Sequence, residues 1–506
     1  MSISRPEHPR PQFRRSTWIN LNGQWDFCID AGDSGTDAGW HRNPSAIDQQ
    51  IKIPFCPESA CSGISHTDFM PAVCYHRSIA VPSQWLEGRV LLHFGAVDYE
   101  CHAFVNGQDV GIHYGGASSF TFDITTALSD AAGDLVVLAR DNLRSGLQPG
   151  GKQSKNLHSH GCHYTRTTGI WQTVWLEWVP QSYIERVRIV PDLDNARFTL
   201  TPTFCNTHRG QLFRAVLLDG NQELATATMP AHSGISTELS VPNPHPWSPD
   251  DPHLYDLRFE LVASELLIDQ VSSYAGLRKF HIEGHRFFLN NEPIFLRFVL
   301  DQGFYPNGIW TAPSDAALKR DIELAQAAGF NGARLHQKVF EERFHYWADH
   351  LGYLTWGEFC DWGTDFSQPQ AIANHQREWR EVVQRDLNHP SIIAWTPFNE
   401  TISQARIDPE VHRRALVEIY EITRALDPSR PVHDTSGYAH VRTDIYTVHD
   451  YEQNYEVFAT TYADVDPEHP QNTRICFPDS EVPYQGQPYV VDEYGGTAGL
   501  VTIEDV

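Results

Sequence analysis

Near residue 278 the chain changes its rhythm, and that change limits the fold more than any single motif. Before it, short β-prone runs such as WDFCI, RVLLHFGAV, CHAFVNG, LVVLAR and TVWLEWV recur with turn signals between them. After it, apolar strand-like runs alternate with amphipathic stretches long enough to be helices. A chain of short alternating strands predicts sandwiches, whereas regular strand–helix alternation predicts parallel βα units. Three regions follow: an N-terminal β-sandwich over 1–180, a second, immunoglobulin-like β-sandwich over 181–277, and an α/β barrel over 278–506. Asn106-Gly107 and Asp219-Gly220 mark tight hairpin turns in the first two regions.

In the third region the strands are expected at 295–298, 332–336, 353–358, 392–398, 431–435, 445–449 and 489–493. Ser314 and Asp315 open the first of the intervening helices. These are seven βα positions of a (β/α)8 (TIM) barrel. Only 13 residues follow Glu493 (506 − 493), so the barrel is expected to be truncated before strand eight.

Composition narrows the partners. The formal net charge of −26 lacks the basic footprint that nucleic acid requires, and it disfavours anionic membranes. It leaves a carbohydrate as an acceptable partner, and a homo-oligomer is compatible with it. The nine cysteines are odd in number and form no C-x-x-C pair, which predicts reduced thiols. No apolar h-region follows the N-terminus and no apolar run reaches ~18 residues, so a cytoplasmic protein is expected.

Chemistry in such barrels sits at the C-terminal ends of the strands. Three carboxylates close apolar strands: Glu358 in YLTWGE, Glu400 in IIAWTPFNE and Glu493 in YVVDEY. Strands four and seven face each other across a barrel mouth, so Glu400 and Glu493 converge. Two carboxyl groups flanking one bond are what glycoside hydrolysis needs, ~5–5.5 Å apart when configuration is retained and ~6.5–9.5 Å apart when it is inverted.

STWINLNGQWDF, TRTTGIWQTVWLE and above all RDLNHPSIIAWTPFNE resemble glycoside hydrolase family 2, which holds β-galactosidases, β-glucuronidases and β-mannosidases. The resemblance runs from about residue 15 to 496. It implies a jelly-roll-like sugar-binding domain ahead of the immunoglobulin-like domain and the barrel. It implies Glu400 as general acid/base, Glu493 as nucleophile, and Asn399 as a partner of the sugar 2-hydroxyl. Arg334 and Tyr451 would hold the nucleophile carboxylate. His336 stands one place earlier than the family's usual histidine, with Gln337 in its place; either is a candidate sugar contact.

His449, Glu358 and Asp301 complete the expected substrate-binding set. Asp361 beside Glu358 is the weak candidate for a divalent cation such as Mg2+, but no clear ligand set is legible, so no metal or cofactor is expected to be required. His158, His160 and His163 invite a metal reading too, yet lack companion ligands; a loop reaching the active site is the expectation. Trp356, Trp362 and Trp395 are either sugar platforms or core. His389 is expected to be structural. No Asn-x-Lys motif of the β-glucuronidase kind is found after the nucleophile, which favours a neutral sugar; a retaining exo-glycosidase is expected, with β-galactosidase as the default that the family resemblance implies. Arabinofuranosidase, galactofuranosidase, β-mannosidase and β-glucuronidase activities stay open, as does an inert carbohydrate-binding protein.

Overall fold

A computed structural model describes residues 3–473 and 481–495. The first sandwich packs a six-stranded antiparallel sheet on a four-stranded one. Trp25, Phe27, Tyr75, Leu92 and Phe94 fill the space between them. Strands Glu100–Val105 and Gln108–Tyr114 form the hairpin around Asn106-Gly107, both at positive φ (51° and 74°), as a tight turn of that hand requires. The second sandwich packs a three-stranded on a four-stranded antiparallel sheet around Ile184, Phe198, Phe213 and Phe259. Buried Arg15 joins the two: it donates to Asp269 (2.8 and 2.9 Å) and to Glu177 (3.1 Å). The eight described cysteines are free, and Cys476 lies outside the described residues.

The barrel follows a small three-stranded sheet spanning Phe280–Pro293. Strands Phe298–Asp301, Gly332–Leu335, Leu354–Glu358 and Ile392–Thr396 pair in parallel, in that order. Tyr446–Asp450 and Tyr489–Tyr494 form a second parallel pair. Helices Asp315–Ala327, Glu342–Leu351, Pro369–Asp386 and Pro409–Leu426 lie between them. Ser314 caps the first by accepting the Ala317 N–H. A short helix, Tyr455–Tyr462, was not expected.

Two strand positions differ from the sequence expectation. The first strand is Phe298–Asp301, not 295–298, because pairing begins where Asn331 exchanges hydrogen bonds with the Arg297 backbone. Phe295 is left exposed. The fifth position, 431–435, forms no regular strand; only the isolated parallel bridges Trp395–Val432 and Asn399–Ser436 mark it. The Val432 N–H goes to the Asp444 side chain instead of a strand carbonyl, which interrupts the ladder. Trp356 and Trp395 are core: their indole N–H groups donate to Thr396 and Asp427, and both side chains are buried. Among the described residues no helix is long and apolar enough to cross a membrane.

Candidate active site

The site is assembled from strand ends. Arg334, on the second strand, is buried, and all its nitrogens are engaged. Nε donates to Glu358 (2.6 Å), Nη1 to Glu493 (3.0 Å) and Nη2 to Asn399 Oδ1 (2.8 Å), with His336 Nδ1 at 3.0 Å. One guanidinium therefore ties the third, fourth and seventh barrel positions together. Such multidentate, charge-assisted pairing fixes geometry as well as charge.

Glu493 reaches the site through an irregularity. The ladder between the sixth and seventh positions shifts register between Val448 and His449, so that His449 pairs with Glu493 and skips Asp492. The bulge turns both acids inward. Asp492 accepts from Ser436 Oγ (2.6 Å) and Glu493 from Arg334 and the Tyr451 hydroxyl. Burial pushes the Glu493 carboxyl up, but the Arg334 charge, then His449, His336 and the Tyr451 hydroxyl, outweigh it and hold it at about 2. Asp492, with weaker compensation, is raised by its burial.

Glu400 stands just past the fourth strand with φ +53°, a left-handed backbone that costs a non-glycine residue about 1–3 kcal/mol. Its N–H donates to Ser436 O (3.0 Å), which anchors the strained residue to the fifth position. His449 Nδ1 lies 2.9 Å from Glu400 Oε1, and His449 Nε2 lies 2.9 Å from Ser436 Oγ. One carboxylate oxygen of Glu400, one of Glu493 and one ring nitrogen of His449 lie within 4.8 Å of one another.

The other expected residues divide. Glu358 accepts from Arg334 and from the Gln337 N–H (3.0 Å), and Asp361 accepts from the Gln337 amide and the Asn399 N–H (3.1 Å). Both acids thus help to hold the site's loops and strand ends together. Asp301 turns onto its own loop, where Oδ1 accepts the Gly303 N–H (2.9 Å). Three polar atoms at the site are buried without a hydrogen-bond partner among the described residues: Asp492 Oδ1 and two nitrogens, Asn399 Nδ2 and His336 Nε2. Buried donors of that kind are the features a polar ligand completes. His389 sits at the opposite end of the barrel, 2.6 Å from Asp349.

Sequence reasoning missed Ser436 and Asp492. Ser436 follows the fifth barrel position and Asp492 lies next to Glu493 in the seventh strand, but the search for two strand-closing carboxylates passed over both. Trp362, one of three tryptophans considered, is the one that remains at the rim. Its indole N–H donates to Asn399 O (3.3 Å) and its ring centre is 5.4 Å from that of His163. The loop carrying His158, His160 and His163 therefore does reach the site from the first sandwich. Among the described residues those three histidines do not gather as a metal-ligand set.

Comparison with known proteins gives one consistent answer. Models of glycosyl hydrolases family 2 match along the chain: the sugar binding domain over 19–180, the middle domain over 182–278 and the TIM barrel domain over 280–501. A putative beta-glucuronidase of Formosa agariphila is 25% identical, covering 85% of this chain and 52% of that protein. A beta-galactosidase of Thermoanaerobacter pseudethanolicus is 26% identical, covering 76% and 51%. The chain thus spans about half the length of these two curated relatives. The crystal structure of Ruminococcus gnavus beta-glucuronidase shares the fold, with a TM-score of 0.81 at 20% identity over 99% of this chain and 86% of that one. With matched domains in the order its own sequence predicts, the chain belongs to glycosyl hydrolases family 2.

Proposed function

We propose that the chain carries out retaining, exo-acting hydrolysis of a glycoside, with Glu493 as nucleophile and Glu400 as general acid/base. The observation that carries this reading is the approach of the two carboxylates: one oxygen of each lies within 4.8 Å of the other. So short an approach supports the close carboxylate pair of a retaining enzyme, in which one of the two attacks directly, over the wider pair of an inverting one.

The steps use the groups in place. Ionised Glu493 attacks the anomeric carbon while protonated Glu400 gives its proton to the leaving oxygen, so the glycosidic C–O bond breaks as the ester bond forms. Water then enters, Glu400 takes its proton, and the hydroxyl displaces Glu493 from the sugar. Arg334, already paired to Glu493, keeps the nucleophile ionised and in one rotamer. His449 orients Glu400. Asn399 Nδ2 and His336 Nε2 are free to donate to, or bind, ring hydroxyls.

The sugar is proposed as a β-linked pyranoside, with β-galactoside and β-glucuronide as the two arms to be tested. The first is the activity named for the Thermoanaerobacter pseudethanolicus relative, the second the activity named for several. The test is a panel of aryl β-glycosides with Glu493→Ala alongside. Turnover of one glycoside, reduced by roughly four or more orders of magnitude in the variant and rescued by azide as a glycosyl azide of inverted configuration, is expected. A variant that retains turnover removes Glu493 from the nucleophile role.

A further inference from the structure

The wall contributed by the first sandwich contains a cation that nothing in the mechanism above uses. Lys152 is only 6% exposed, and its ammonium lies 4.9 Å from the centre of the Trp362 ring. Among the described residues it makes no hydrogen bond and no ion pair. The stem is buried while the ammonium keeps an opening to solvent, and holding it there without a protein acceptor carries a partial desolvation cost. The face of an indole offsets only part of that cost.

The backbone around Lys152 is built to hold it there. Gly150 N–H donates to Trp362 O (2.8 Å) and Gly151 N–H to Cys360 O (3.0 Å). Gly151 has φ +55°, and a Cβ at that position would meet Gln337 O at 2.3 Å. No other residue type fits between the two segments there. On its other side Gln153 donates to Asp98 (2.8 Å) and accepts from the Thr167 N–H (2.7 Å). Lys152 therefore sits between two fixed neighbours rather than on a loose surface loop.

Further basic groups stand beside it. Burial, then its basic neighbours Lys152 and Lys155 among others, holds the His163 imidazole below its ordinary value. In a chain of net charge −26 this is a local reversal of the background. Asp361, the residue before Trp362, is already engaged by Gln337 and Asn399. Trp362 connects this rim to the reacting carboxylates, since its indole N–H rests on the carbonyl of Asn399, the residue before Glu400.

We propose that Lys152 is a specificity-determining residue that binds a negatively charged substituent, a carboxylate or a sulfate ester, on the glycoside being cleaved. This rests on the glycosidase reading of the Glu400–Glu493 pair. The ammonium supplies the missing charge-assisted hydrogen bond, Trp362 supplies the apolar face beside it, and the ligand supplies the acceptor that the protein leaves out. A neutral sugar would leave Lys152 as unpartnered as it is without ligand.

The test compares kcat/KM for 4-nitrophenyl β-galactoside and β-glucoside with the corresponding galacturonide and glucuronide, and with the 6-O-sulfated galactoside. The uronide and sulfate arms separate the two anion sources. Wild type is expected to favour an anionic member over its neutral counterpart. Lys152→Met is expected to lower kcat/KM for that member by about 10- to 100-fold, the scale of one charge-assisted hydrogen bond. It should leave the neutral glycosides within about threefold. Lys152→Arg should keep the preference.

Equal loss on both members, or a preference for the neutral one that Lys152→Met does not change, overturns the proposal while leaving the glycosidase reading in place. If no glycoside is turned over, the glycosidase reading falls and binding decides the role of Lys152. By calorimetry on the unmodified protein, glucuronate or sulfated galactose binding more tightly than glucose or galactose, with the difference lost in Lys152→Met, upholds the charge recognition. Equal binding removes it. Should Lys152→Met fail to fold, the wild-type ratio of inhibition or binding by glucuronate against glucose decides alone, with no preference for the acid counting against it.

Discussion

The barrel carries a charged network at each end. At the mouth, Arg334, Glu358, Glu493, His449 and Glu400 are bonded to one another. At the far end, Asp349 accepts from the Tyr274 hydroxyl (2.8 Å) and the Ser391 N–H (3.0 Å), with His389 at 2.6 Å. In both, burial pushes a carboxyl up and its neighbours bring it back below the ordinary value. His389 is even raised, because Asp349 outweighs the effect of burial. Perturbed acidity alone would nominate either network as a functional site. Access separates them. Asp349 and His389 are fully closed off, whereas the Glu400 side chain is 25% exposed and Tyr451 is half-exposed. A network with no opening holds helix to strand; a network with one can meet a substrate.

The sharpest way to break this contrast is to cut each network once. Glu400→Gln should lower turnover by about 10²–10⁴-fold, most for substrates with poor leaving groups, as loss of a general acid does. Its unfolding free energy should stay within about 0.5 kcal/mol of wild type, as for other partly exposed sites. Rates on aryl glycosides of graded leaving-group acidity, with a denaturant titration beside them, check both halves. Asp349→Ala should do the reverse. It strands a buried imidazole and a buried phenol, so about 3 kcal/mol of stability is expected to go, with kcat per folded molecule unchanged. A large fall in kcat with normal stability would make the far end functional and dissolve the distinction.

The smallest effect sharpens the mouth itself. The Glu493 carboxyl has a lowered pKa, so its ionised form, and the stability that form contributes, is fully present above the ordinary carboxyl value. It is lost only as pH falls through about 2. Tyr451→Phe removes one of the donors that depress it. The acid limb set by Glu493 should therefore move upward by less than about one pH unit, and kcat should fall roughly tenfold, ~1.4 kcal/mol. A pH–rate profile that does not move assigns the Tyr451 contact no part in keeping Glu493 ionised.

Much of this was legible in the chain because it is written locally. The strand–helix alternation after residue 278 needs only a few neighbouring residues to express itself, and Glu400 and Glu493 stand where a strand-end rule looks for them. What escaped is non-local. The first strand moved three residues along because Asn331, on another segment, decides where pairing begins. The fifth position dissolved into two bridges because an aspartate side chain took a backbone N–H. Asp492 entered the site through a bulge that strict alternation would have pointed away. Lys152, over a hundred residues before the barrel, gives no sequence sign of its place beside Trp362.

The contact of Gly151 with Gln337 has a consequence for how such a chain can be inherited. Two modules that merely adjoin can be exchanged, each for another of its kind, with a new linker between them. Here any side chain at 151 would collide with the barrel backbone. The strand end it presses against belongs to the same loop that supports Glu358 and Asp361. A barrel recombined with an unrelated sandwich would arrive with a gap where that wall had been, so the two regions are expected to travel together as one unit of descent.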